Sequence, residues 1–166
     1  MKKLIITMLC FFSLVSYSQK PRIDTINIIS KPKEIIQQEK CNPNTNKLDE
    51  FINIWIGRPY MYGGTTLSGI DCSAFVQKLY QEVYDLCIPR TAFSQYKVMT
   101  KISKRMMNVG DILFFLSSSS PSGWRVAVYL GNDSIIHAAN KKRGVVLDKL
   151  TQNVINRIHA VGRLIF

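Results

Sequence analysis

Residues 69–75 read Gly69-Ile70-Asp71-Cys72-Ser73-Ala74-Phe75. Beyond Cys72, Phe75, Val76, Leu79 and Val83 recur at helical spacing, so the chain is expected to turn into a helix with one apolar face at the cysteine. The first turn of a helix has N–H groups without internal partners and a partial positive charge, which favour thiolate over thiol. Thiolate is the reactive form, so Cys72 is expected to have a lowered pKa. Ser73 is placed to cap the turn. Gly63, Gly64 and Gly69 lie upstream, where bare backbone allows close approach of a substrate. A free cysteine is also often a small buried hydrophobe. Position alone is compatible with either role.

On the N-terminal side, Leu48, Phe51, Ile52 and Trp55 form one helical stripe that Gly57 ends. The glycine-rich stretch 58–69 follows as an approach loop. On the C-terminal side come short β-branched or aromatic runs at Asp111–Phe115, Val126–Leu130, Ser134–Ala138, Val145–Leu147 and Ala160–Phe166. Turn-forming stretches at 117–123, 131–133 and 141–144 separate most of them. Helices first and strands afterwards, with short connections, predict an α+β domain with an antiparallel sheet over residues 46–166.

Lys2 and Lys3 precede an apolar run from Leu4 to Val15, too short for a comfortable membrane span, and Ser16-Tyr17-Ser18 offers small residues for cleavage. Residues 1–18 are therefore expected to be a signal peptide cleaved after Ser18, which makes the protein exported, with no stable membrane span. Residues 19–45, rich in Pro, Lys and amides, read as a tether in which Ile26–Ile29 could dock as a strand. The net charge is +11 for the whole chain and +9 without the leader. Such an excess implies anionic partners, and export makes nucleic acid the poorest of them. Cys41, Cys72 and Cys87 remain after cleavage, an odd number that leaves a thiol free or paired between molecules. A Cys41–Cys87 disulfide is one possibility. No CxxC or CxxxH spacing occurs, so no metal site is expected, and no cofactor.

"GRPYMYGG…GIDCSAFVQKLY", "IPRTAFSQ", "VGDILFF" and "VAVYLGNDSIIHA", in that order, resemble the motifs of the NlpC-type cell-wall cysteine peptidases. The likeness runs from about Leu48 to Phe166. It implies a papain-like fold, with the nucleophile opening a helix packed on an antiparallel sheet. The implied substrates are peptidoglycan stem peptides, cut between γ-D-glutamate and the diamino acid. By position, Cys72 matches the nucleophile, and Tyr60 matches a tyrosine that helps bind substrate or oxyanion. His137 matches the third member of the triad, which orients the base. The Cys72 backbone N–H is a further oxyanion donor. His159 has no catalytic counterpart and is expected to be structural. Asp71, Arg90 and Gln95 are expected either to touch substrate or to hold the fold.

One residue departs from the pattern. The family's general base opens a strand motif written H-V-G-I-Y-L-G, and here the strand reads Arg125-Val126-Ala127-Val128-Tyr129-Leu130-Gly131 without a gap. A guanidinium stays protonated, so Arg125 cannot take the thiol proton. It could favour the thiolate as a fixed cation. A local slip of the strand near Trp124 is the other way to read the mismatch. Three functions fit this sequence: an endopeptidase working through Cys72 and His137, a catalytically silent relative that binds wall peptides or a protein partner, and acyl transfer from a substrate whose leaving group needs no proton.

Overall fold

A computed structural model of the protein describes residues 43–165. The expected leader, most of the tether, the possible Ile26–Ile29 strand and Cys41 lie outside these residues. The first helix, α1 (Pro43–Trp55), begins at a proline, which suits a position whose N–H has no helical partner. It starts earlier than the expected Asn46, so the last residues assigned to the tether form its first turn. Leu48, Phe51 and Trp55 bury the predicted stripe. Gly57 then takes a positive φ of 75°, and its N–H donates to Val145 O, which ends the helix and docks its exit on the sheet.

A two-residue hairpin, β1 (Thr65–Thr66) and β2 (Gly69–Ile70), occupies the glycine-rich loop. A Cβ added to Gly64 would stand 2.4 Å from Gly69 O, so the close backbone approach here requires glycine. Helix α2 (Cys72–Tyr84) follows at once and is the central helix of the fold. Phe75, Val76 and Leu79 on it are fully buried, and Phe51, Trp55 and Phe75 pack ring against ring with α1. Helix α3 (Ala92–Val98) and strand β3 (Thr100–Ile102) come next.

The remaining strands are β4 (Ile112–Leu116), β5 (Trp124–Gly131), β6 (Ser134–Asn140), β7 (Gly144–Lys149) and β8 (Ile158–Arg163), with the short helix α4 (Gln152–Arg157) before β8. They form one antiparallel sheet in the order β3-β8-β4-β5-β6-β7. Its two faces carry separate cores, as two-residue alternation dictates. Ile112, Phe114, Val126, Val128, Ile136 and Ala138 pack towards α1 and α2. Leu113, Ala127, Ile135 and Val161 face the other way, against Leu150, Val154 and Ile155 at α4. This is the expected α+β arrangement. The five predicted strands are all present, each displaced by at most a few residues at its ends.

The suspected slip near Trp124 does not occur. Against β4, β5 keeps an unbroken register in which Phe115 faces Arg125 and Leu116 faces Trp124. Position 125 is therefore the second residue of a regular strand. His159 sits in an aromatic cluster, 5.6 Å from the Tyr96 ring centroid and 5.4 Å from that of Trp124, which agrees with a structural role. Among the described residues no helix is long and apolar enough to cross a membrane.

Candidate active site

Asp71, not the expected Ser73, caps α2. Its Oδ1 accepts the Ala74 N–H at 2.8 Å, and Ser73 Oγ donates to the same oxygen at 3.0 Å. Arg90 then closes a fork on the carboxylate, with Nη1 3.0 Å from Oδ1 and Nη2 2.7 Å from Oδ2. Oδ2 also accepts the Gly63 N–H at 3.0 Å, and Arg90 Nη2 reaches Gly64 O at 3.3 Å. One carboxylate thus ties the glycine-rich loop, the helix N-terminus and Arg90 together beside the cysteine. Burial opposes ionisation of Asp71, but Arg90, the Ala74 N–H and Ser73 hold its carboxyl below the usual range. Gln95 is fully buried, and its Nε2 donates to Ser73 O and Pro89 O, each at 2.9 Å. Asp71, Arg90 and Gln95 therefore organise the cysteine turn.

Cys72 opens α2 as expected, but it is 8% exposed and packs within the main core. Burial pushes its thiol up, and the Asp71 charge pushes the same way. The Val126 N–H and the Arg125 guanidinium pull down without reversing the direction. The expected lowering of the Cys72 pKa is thus corrected: desolvation of the charged sulfur outweighs the helix terminus and the nearby cation. Cys87, by contrast, is exposed.

Arg125 and its neighbour Val126 both lie close enough to Cys72 to influence its thiol, so the strand position expected for a base is near the cysteine. The guanidinium itself is engaged elsewhere. Nη1 donates to Ala139 O on β6, and Nε reaches Ser117 Oγ at 3.4 Å. Its positive charge nevertheless acts on Cys72, Tyr60 and His137.

His137, on β6, does not pair with the thiol. Its Nε2 lies 3.0 Å from Asp148 Oδ2 on β7. Arg143 in turn grips Asp148 through Nη1 at 2.8 Å and Nη2 at 2.5 Å. The bonds from Arg143 and His137 hold Asp148 down to about 2. Burial and the nearby arginines keep His137 below its ordinary value despite Asp148, so the imidazole is neutral at pH 7. A neutral, carboxylate-held imidazole can orient a neighbouring base, but position 125 presents it with another cation.

Tyr60 bridges Ile70 and lines cavities on both sides of the site. Burial and the neighbouring Cys72 raise its pKa, so it remains a hydroxyl donor. The first cavity is a groove lined by Tyr60, Gly63, Cys72, Ser73, Thr91 and Ser120 among others. Cys72, Tyr60 and Arg125 are therefore gathered at one place, with His137 one strand further along. The Arg143–Asp148–His137 chain was not foreseen. Its only trace in the sequence is Asp148 two residues beyond Val146, the residue facing His137, and so on the same face of β7.

A model of the NlpC/P60 family matches residues 57–163. The chain is 38% identical over 103 residues to the probable endopeptidase NlpC of Escherichia coli K12, covering 62% of this chain and 66% of that protein. It is 32% identical over 105 residues to the murein DD-endopeptidase MepS/murein LD-carboxypeptidase of the same strain, covering 63% and 54%. Among solved structures, the NlpC/p60 domain of the peptidoglycan hydrolase SagA matches with a TM-score of 0.59 and 29% identity, over 71% of this chain and 97% of that one. The chain spans between 54% and 66% of the length of these two curated relatives.

Proposed function

Because this chain belongs to the NlpC/P60 family of peptidoglycan hydrolases, we propose that it engages peptidoglycan stem peptides in the groove at Cys72 and hydrolyses their γ-D-glutamyl–diamino acid amide only slowly. The observation that carries this reading is the occupant of position 125. The groove, the cysteine turn and the tyrosine donor are all in place, whereas the strand residue adjacent to the sulfur is an arginine bonded to Ala139 O.

The chemistry divides at that residue. Amide scission needs Cys72 to lose its proton and attack the carbonyl carbon. The resulting oxyanion would then be held by the Cys72 N–H and the Tyr60 hydroxyl. A proton must next reach the leaving amine, and a water must be activated to release the acyl group. Arg125 serves neither proton step. With the thiol also raised by burial, little thiolate is present at neutral pH. Binding survives this loss because the groove needs no proton transfer to hold a peptide.

The apolar run 4–15 and the small residues Ser16 and Ser18 support export through a cleaved leader, which brings the protein to the periplasm or outside the cell. A net charge of +9 without the leader suits an anionic wall polymer. The test is incubation of the purified protein with defined muropeptides, followed by mass analysis. Slow release of the γ-D-glutamyl fragment, abolished by Cys72→Ala, is the expected result. Brisk cleavage by the native protein, or cleavage that persists in Cys72→Ala, would contradict the proposal.

A further inference from the structure

Across Tyr60 and Tyr62 from the cysteine groove lies a second cavity, whose charged lining residues are Arg125, Lys141 and Lys142. Its remaining lining residues include Ser119 and Asn140, and none is acidic. Three cations around one cavity without an anion set up a positive field that favours an anionic ligand.

Neighbouring contacts keep that charge in place. The two bonds that Arg125 makes are to neutral acceptors, Ala139 O and Ser117 Oγ, and neither uses Nη2. Part of the guanidinium fork thus remains for a ligand. Asn140 Oδ1 accepts the N–H groups of Lys142 and Arg143, each at 3.0 Å, which fixes the turn carrying both lysines. The nearby carboxylate, Asp148, is taken by Arg143 and His137. Among the described residues, Arg125, Lys141 and Lys142 form no salt bridge.

We propose that this cavity receives a carboxylate of the bound peptide, with Arg125 as its anchor and Lys141 and Lys142 closing around it. The inference rests on the reading of the cysteine groove as a peptide site. Tyr60 and Tyr62 line both cavities, so a peptide crossing them would occupy the two together. Arg125 then has a positive function: in place of a base, the strand supplies a guanidinium suited to a carboxylate.

The experiment measures binding to Cys72→Ala protein, which leaves the probe intact. The probe is the tripeptide L-Ala-γ-D-Glu-diaminopimelate with free carboxylates, compared with forms amidated at the glutamate or at the diaminopimelate. Amidation of one of these is expected to weaken binding about tenfold, the scale of one charge-assisted hydrogen bond, and identifies which carboxylate is read. Lys141→Gln/Lys142→Gln, which changes only exposed side chains, should weaken the free acid severalfold and largely erase its advantage over the amide. Equal affinity for the acid and both amides would overturn the carboxylate site while leaving the groove reading intact. An acid preference undiminished by the lysine changes would place recognition elsewhere and also overturn it. Binding of none of the peptides would remove both readings.

Discussion

Arg125→His is expected to raise muropeptide cleavage by about 10²-fold or more, the range associated with general acid–base catalysis. The strand is regular through this position, with Phe115 facing Arg125 and Phe114 facing Val126, so the substituted imidazole starts from an undistorted backbone. It could accept the thiol proton and return it to the leaving amine, neither of which the guanidinium can do. His137, neutral and held by Asp148, lies on the next strand. The measurement is the initial rate of fragment release by native and Arg125→His proteins at saturating muropeptide, so that binding lost with the Arg125 anchor does not mask the catalytic gain. A lower rate in the variant would mean that the arginine itself assists the reaction.

The second large effect concerns stability. Arg90→Ala is expected to cost about 2–3 kcal/mol, below the range for a fully buried ion pair because the Arg90 side chain is 34% exposed and Asp71 keeps the Ala74 and Gly63 N–H groups and the Ser73 hydroxyl. For a domain of this size that lowers Tm by roughly 10 °C. The effect should depend on pH with a definite sign. The Asp71 pKa is depressed in the folded protein, so its contribution is present above the ordinary carboxylate value and is lost as pH falls through the lower folded value. Native and Arg90→Ala proteins should therefore converge in Tm towards acid pH. Thermal melts across that range check this, and a constant gap would show that the arginine acts through packing alone.

The parts of this fold readable in the sequence are those fixed by local periodicity. The α2 stripe of Phe75, Val76, Leu79 and Val83 records one buried face, and the short β-branched and aromatic runs of β5 and β6 record strands buried on both faces. Helix α2 instead stops at Asp85, a non-glycine residue with a φ of 58°, where the usual stop signal is missing. Helices α3 and α4 are too short to show a period.

At the site, Cys72, Tyr60, Arg125 and His137 were legible from motif positions, but their states were not. The thiol's direction of shift depends on how deeply α2 sinks into the core, a tertiary property that no helix-terminus rule contains. Likewise, the partner of His137 is set by the pairing of β6 with β7, which brings Asp148 within reach, and by the turn that supplies Arg143. Ser73 looked like the cap because its hydroxyl is near the first turn. Asp71 holds that position because it satisfies the helix, the loop and Arg90 together.

Slow turnover follows from a cysteine left protonated beside an arginine, and the pH dependence of Cys72 alkylation reads that state. Iodoacetamide labelling, read by peptide mass with exposed Cys87 as internal reference, gives the pH at which Cys72 becomes reactive. In the native protein this inflection is expected above the free-thiol range of about 8.5. A native inflection near or below neutral pH would contradict it, because the sulfur would then already be the activated nucleophile that Arg125 is said to leave unformed.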